Sequence, residues 1–252
     1  MSKYSKYTDH IQQTLSRNGR TNPETIQAIA DYMGTKNVIF GVTTAKQKEL
    51  AKAKYGLELE HDELIAVMDH AFRKTKVYEM RNAALLLVEY NYKRTDRAKL
   101  YELMIPWVDH VDNWGHSDYL SKFYTRFLEL KEHKNEFLEQ LKKWNKDKNP
   151  WKRRQSMVAL LYYARTKNEH LPFKTIINLV ASQLQAPEYY VQKGLGWTLR
   201  ETYNVYPDLT YKFVLDNFHL VSPVAFTAAI EKMTEKEKTI LKQKRKAHRA
   251  KK

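Results

Sequence analysis

Apolar side chains recur along this chain at helical spacing, and no segment alternates in the two-residue rhythm of a strand. One row runs Val191, Leu195, Leu199 and Tyr203 around the stretch QKGLGWTLRETYNVY, residues 192–206. Others run Tyr4, Tyr7, Ile11 and Leu15; Leu64, Ile65, Met68 and Phe72; Met80, Ala83, Ala84, Leu87 and Val88; Leu120, Tyr124, Phe127 and Leu128; and Ile176, Leu179, Val180 and Leu184. Asn22-Pro23-Glu24, Asn149-Pro150-Trp151 and Ser222-Pro223 each place a capping side chain before a first-turn proline. Thr44 and Thr95 are read as further caps, and Gly19, Gly34 and Gly56 as stops. The pattern predicts about a dozen helices of roughly 10–18 residues joined by short loops.

Helix pairs recur about every 35–45 residues, the period of HEAT-like repeats. The expected fold is therefore all-α, a HEAT-like helical-repeat solenoid with a concave basic face. A compact orthogonal bundle is the alternative. Residues 1–233 read as a single repeat domain. From residue 234 the apolar positions give way to Glu, Lys and Arg, and 234–252 read as a basic tail, a fraying helix or disordered. Seven Gly and seven Pro in 252 residues are few for hairpins, in keeping with a helical chain.

No uninterrupted apolar run approaches the length of a membrane-spanning helix, and MSKYSKYTDHIQQ lacks the apolar core of a signal peptide. The absence of cysteine excludes disulfides, thiolate nucleophiles and Cys-ligated zinc, and fits a cytoplasmic protein. The net charge is +15; seven Lys and Arg without an acid between Lys242 and Lys252 carry +7 of it, leaving +8 on the body. Both parts are basic, which points to nucleic acid or anionic lipid as partner. The end of the chain reads as an electrostatic anchor for nucleic acid.

Three stretches carry candidate chemistry. In the first, Lys193, Trp197 and Arg200 share a face distinct from the apolar row, on a helix that also contains Gly194 and Gly196. Each glycine costs about 1 kcal/mol against alanine inside a helix, so a close approach of backbone or ligand should compensate. In the second, VDNWGHSDYL (111–120), Trp114 and Asp118 lie four apart and hence on one helical face. In the third, NPWKRRQS (149–156), Lys152, Arg153 and Arg154 crowd a helix N-terminus, where cations oppose the macrodipole until a phosphate binds. Each feature also has a plain reading: core tryptophans, a surface acid, solvated cations. Trp107, Trp144 and Trp151 read as packing residues. His110 and His116 have no third ligand at metal-site spacing. There is no Walker loop and no complete GxGxxG.

Together these residues resemble a known family. Trp114-x-x-x-Asp118, then Arg154 after Asn149-x-Trp151, then Gln192-Lys193-x-x-Gly196-Trp197-x-Leu199-Arg200-Glu201 is similar, in order and in spacing, to the AlkD-type DNA alkylation-repair glycosylases. Tyr32-Met33 followed by Phe40-Gly41-Val42 resembles that family's N-terminal repeat. Trp107-Val108-Asp109-His110-Val111-Asp112 also resembles the motif region, but puts Val108 where the family has an aromatic residue. Gly115-His116 beside the tryptophan and the basic tail depart from the family pattern.

The resemblance implies a monomeric, cofactor-free DNA glycosylase of base excision repair, acting on duplex DNA and excising cationic N3- or N7-alkylated purines without a deep base pocket. It assigns Asp118 as catalytic carboxylate, Trp114 and Trp197 as aromatic residues lining the catalytic cleft, and Arg154 as the cleft arginine against the DNA backbone. Lys193, Arg200, Lys152 and Arg153 are the further candidate DNA-binding residues. The residue types suit the chemistry: the alkylated base leaves neutral, so no strong acid is required, and a carboxylate and π faces can stabilise an oxocarbenium-like sugar. Two other readings stay open: a non-catalytic HEAT-like protein binding duplex or branched DNA, and a protein-binding solenoid whose charge serves ribosome or RNA association.

Overall fold

A computed structural model describes residues 3–20 and 22–250. They form fourteen α-helices and, apart from one isolated bridge between Val38 and Val77, contain no β-structure. The all-α expectation holds. The chain divides into two compact units, residues 1–120 and 121–252.

The first unit contains α1 (Ser5–Arg17), α2 (Pro23–Met33), α3 (Thr44–Lys52), α4 (His61–Lys74), α5 (Tyr78–Asn91) and α6 (Arg97–Met104), followed by a 3₁₀ turn (Ile105–His110) and the start of α7 (Trp114–Phe127). Asn22 caps α2 as read, its side chain accepting from Thr25 N. Thr43 caps α3 and Asp96 caps α6, each one residue away from the expected cap. Thr95 instead donates its hydroxyl to the carbonyl of Asn91 at 2.9 Å, the local competition that short hydroxyl side chains offer. Ile11, Leu15, Met68, Phe72, Met80, Ala84 and Trp107 are fully buried. Trp107 stacks on Phe72 at 4.2 Å and gives its indole N–H to Asp69 at 2.8 Å. Glu79, buried in the first turn of α5, accepts the backbone N–H groups of Phe40, Gly41 and Val42, and so holds the connector between α2 and α3.

The second unit contains α8 (Lys134–Asn145), α9 (Pro150–Leu161), α10 (Phe173–Ala181), α11 (Tyr189–Val205), α12 (Pro207–Asn217), α13 (Pro223–Ala229) and α14 (Glu235–Arg249). Asn149 and Ser222 cap α9 and α13 as expected. Val191, Leu195 and Leu199, the row read from the sequence, are fully buried, while Tyr203 is half-buried with its hydroxyl on Glu237 at 2.8 Å. A polar seam ties successive helices together: Asn145 donates to Ser156 Oγ and the Leu179 carbonyl, and the Gln192 amide donates to the carbonyls of Gln183 and Ala186. Buried carbonyls at helix ends are thereby satisfied by side chains.

The segment after Met233, read as a fraying or disordered tail, is ordered through Arg249. Thr234 and Glu237 form a capping box on α14, and Leu241 is fully buried. The Arg245 guanidinium donates to the carbonyls of Phe218 and Val221 at 3.3 and 2.8 Å, which fastens the helix where apolar residues are scarce. Lys251 and Lys252, the last two cations of the expected tail, lie outside the described residues.

Candidate functional site

In the first unit the site is built at the start of α7. Asn113 Oδ1 accepts the His116 backbone N–H at 2.9 Å, the geometry of an N-cap. Asp112 locks the approach to the helix: it accepts from Thr35 Oγ1 at 2.6 Å, Asn37 Nδ2 at 2.8 Å and Lys36 N at 3.2 Å, and lies 3.6 Å from the Arg81 guanidinium. His116 is fully buried and stacks on Tyr78 at 4.5 Å. The Asn113 amide lies 2.7 Å from Nδ1 and the Tyr78 carbonyl 3.1 Å from Nε2. An amide nitrogen only donates and a carbonyl only accepts, so the proton sits on Nε2. Burial first, and Arg81 second, push its pKa down to about 3. Both ring nitrogens are engaged and the ring is neutral, so His116 is a structural support for the helix start.

On that support Trp114 and Asp118 stand one turn apart, both half-buried. Trp114 Nε1 donates to the Tyr32 carbonyl at 2.9 Å, satisfying one of the open carbonyls in the last turn of α2. Its ring meets the Tyr32 ring edge-on at 5.3 Å. Tyr32 itself is 71% exposed, so the aromatic pair reaches the surface. Trp107 has no such access, being wholly inside the core. Of the two stretches that resemble the family motif, only 114–118 presents its tryptophan at the surface.

In the second unit the site centres on α11. Ideal Cβ atoms explain its two glycines. One on Gly196 would lie 2.5 Å from the carbonyl oxygen and 2.9 Å from the Cα of Ala225, so α13 packs backbone to backbone at this point. One on Gly194 would lie 3.0 Å from both Cγ and Nη1 of Arg154. Gly194 therefore leaves room for the arginine. Arg154 is buried on α9, donates Nη1 to the Tyr190 carbonyl at 2.7 Å, and holds its guanidinium carbon 6.0 Å from the Trp197 ring centre. Trp197 is half-buried between Tyr162 and Tyr163, with ring centres at 5.7 and 5.2 Å. Its indole N–H is buried without a hydrogen-bond partner among the described residues.

The other expected cations are spread over this unit. Lys193 is exposed, with its ammonium 5.8 Å from the Tyr189 ring. Lys152 pairs with Asp147 at 3.4 Å, and Arg153 pairs with Glu188 and donates to the Asp147 carbonyl at 2.9 Å. Arg200 bridges Glu201 at 3.1 Å and Glu231 at 2.9 Å. The carboxyls of Glu188 and Glu231 are held below the ordinary range, chiefly by hydrogen bonds from Arg153 and Arg200 respectively. Local acids thus offset the cations that crowd the α9 N-terminus. An open groove of about 650 Å³ runs beside the Arg200 ion pairs, lined by Tyr163, Arg165, Arg200, Glu201, Glu231 and Lys232 among others.

Two features were missed from the sequence. Tyr162 and Tyr163 flank Trp197, and Tyr162 ends α9 at φ 53°, ψ −106°, a conformation that nothing in a non-glycine residue announces. Glu201, in the last part of the family-like block, turns out to accept the Ala164 backbone N–H at 3.0 Å and fixes the loop after α9. No helix among the described residues is long and apolar enough to cross a membrane.

No curated protein matches the chain. Solved structures share its fold at low identity. A protein from Enterococcus faecalis described as a predicted DNA alkylation repair enzyme superposes with a TM-score of 0.67 at 20% identity, covering 86% of this chain and 98% of its own. AlkD2 from Streptococcus mutans superposes with a TM-score of 0.52 at 22% identity, covering 77% of this chain and 91% of its own. The model of the DNA alkylation repair enzyme family matches residues 11–233, nearly the whole length, and the chain therefore belongs to that family.

Proposed function

We propose that the chain is a DNA glycosylase that releases cationic N3- and N7-alkylated purines from duplex DNA, opening base excision repair, and that it works in the cytoplasm as a monomer without a cofactor. The observation that carries this reading is the pairing of Trp114 with Asp118 at the start of α7, where a dedicated buried network fixes the helix start and brings a tryptophan to the surface.

The reaction is hydrolysis. The bond between the sugar C1′ and the base nitrogen breaks, its electron pair goes to the base and cancels the positive charge, and a water oxygen forms the new bond to C1′. The lost water proton passes to solvent or to a carboxylate. Because the leaving base is already activated, the chief demand is to stabilise positive charge growing on the sugar. Asp118 supplies the negative charge, and the indole faces of Trp114 and Trp197 supply π density. Arg154, Lys193, Arg200, Lys152 and Arg153 are assigned to the phosphates. Of these, Arg200, Lys152 and Arg153 hold carboxylates in this state, so phosphates must replace Glu231, Asp147 or Glu188 as DNA binds.

Asp118→Asn tests the reading. The variant keeps the shape of the side chain and its affinity for duplex DNA, and loses base release from methylated duplex by about 10²–10³-fold, the scale of removing one preorganised electrostatic group. Release at the wild-type rate would remove Asp118 from the mechanism. A wild-type protein that binds the duplex but frees no methylpurine would mark the chain as a non-catalytic member of the family.

A further inference from the structure

α14 lies beyond the family-matched residues 11–233. Between it and α13 runs a groove of about 330 Å³ whose charged lining is entirely cationic: Lys242, Arg245, Lys246 and Arg249. These four sit at helical spacing i, i+3, i+4 and i+7, one face of one helix. Arg245 forms the floor. Its guanidinium is spent on the Phe218 and Val221 carbonyls and lies 4.3 Å over the Phe226 ring, so it positions the helix. Lys242, Lys246 and Arg249 form no salt bridge among the described residues. The acids of α14 are both in its first turn and both engaged, Glu235 by Lys238 and Glu237 by Thr234 and Tyr203. Like charges at i, i+4 repel one another, and the folded chain nonetheless holds them together on an anchored, capped helix. An anion along the groove would relieve that repulsion.

We infer that this groove is a second nucleic-acid site, which grips the sugar–phosphate backbone of duplex DNA without reading its sequence. Three observations select the ligand. The groove presents no exposed aromatic ring for stacking unpaired bases, since Phe226 is buried under Arg245. α14 has no apolar stripe to insert into a lipid surface, its Leu241 being consumed in the core. Point cations on one ridge suit phosphates in series, which give position and affinity rather than specificity. The choice of duplex DNA over other polyphosphates rests on the chain's place in a DNA-repair family.

The experiment measures affinity of the full chain for an undamaged duplex across a salt series, so its result stands whether or not the protein releases alkylated bases. Lys242→Gln/Lys246→Gln/Arg249→Gln should flatten the plot of log affinity against log salt by about two to three, close to one for each phosphate that the protein no longer neutralises. The charge-conserving Lys242→Arg/Lys246→Arg/Arg249→Lys should restore the wild-type slope. Should the triple glutamine variant lose helix by circular dichroism, Lys246→Gln alone serves, with a slope change of about one. An unchanged slope in a folded variant overturns the site. A loss larger for single-stranded RNA or for phosphatidylserine vesicles than for duplex DNA also overturns it, by assigning the groove to another partner.

Discussion

The two units hold Trp114 and Trp197, both half-buried, in opposite ways. In the first, Trp114 is pinned by its polar handle: the indole N–H bonds to the Tyr32 carbonyl, and the helix beneath it is locked by Asn113, Asp112 and a neutral His116. In the second, Trp197 is held by shape alone, among Tyr162, Tyr163 and the Arg154 guanidinium, with its N–H buried and unbonded. An unsatisfied buried donor costs about 1–3 kcal/mol, so a sequence keeps one only where the ring's position, or an acceptor yet to arrive, outweighs the loss. The two indoles are therefore fixed by different physics, hydrogen bonding in one and close packing in the other, and each is vulnerable to a different perturbation.

The largest effect is expected from packing. Gly196→Val places carbon atoms where the Ala225 backbone already stands, and backbone cannot step aside as a flexible side chain can. Overpacking of this kind should destabilise by about 3 kcal/mol despite the helix propensity gained over glycine. Gly194→Ala meets mainly the Arg154 side chain, so its propensity gain of about 1 kcal/mol should nearly cancel the crowding. Urea melts of the two variants check the contrast. Equal losses would mean that α11 and α13 do not depend on the backbone approach at Gly196.

The first unit should instead fail with acid. His116 is neutral in the folded state, with a pKa lowered from 6.5 to about 3, whereas the unfolded chain takes up a proton at about 6.5. The folded pKa is the depressed one, so its contribution is fully present above pH 6.5 and declines as pH falls towards 3. At pH 5 the loss should reach about 2 kcal/mol, following 1.36 kcal/mol per unit. His116→Gln should be less stable at pH 7 but lose less stability between pH 7 and 5 than the wild type. Melts at the two pH values measure this. Identical losses in both proteins would show that His116 takes no part.

How much of this was legible in the sequence depends on range. Caps followed by proline, at Asn22, Asn149 and Ser222, were readable because everything that fixes them lies within three residues. Thr44 and Thr95 were misread by one position because each sits beside another competent cap, Thr43 and Asp96, and tertiary packing decides between them. The penalty of Gly194 and Gly196 announced that something must approach α11, but not that it would be an arginine at one glycine and a backbone at the other. α14 read as a fraying helix or a disordered tail because its apolar content is low; Leu241 and two hydrogen bonds from Arg245 anchor it, and an arginine serving as an anchor looks in sequence like one more solvated cation. Glu79 and Glu201 were invisible for the same reason, since a carboxylate that collects distant backbone N–H groups is written no differently from a surface acid.

The finest test removes the hydrogen bond and leaves most of the ring. Trp114→Phe loses aromatic area and the 2.9 Å bond to the Tyr32 carbonyl; Trp197→Phe loses comparable area but no bond, and removes a buried donor that had none. The Trp114 bond lies near solvent, where water can replace part of it, so its loss costs about 0.5–1 kcal/mol, and relief of the unbonded Trp197 donor widens the gap by at least about 1 kcal/mol, with Trp114→Phe the less stable. Thermal melts of the pair resolve a gap of this size because the area removed is shared and drops out of the comparison. A larger loss for Trp197→Phe would mean that its N–H finds an acceptor in solution, and the two tryptophans would then be held alike.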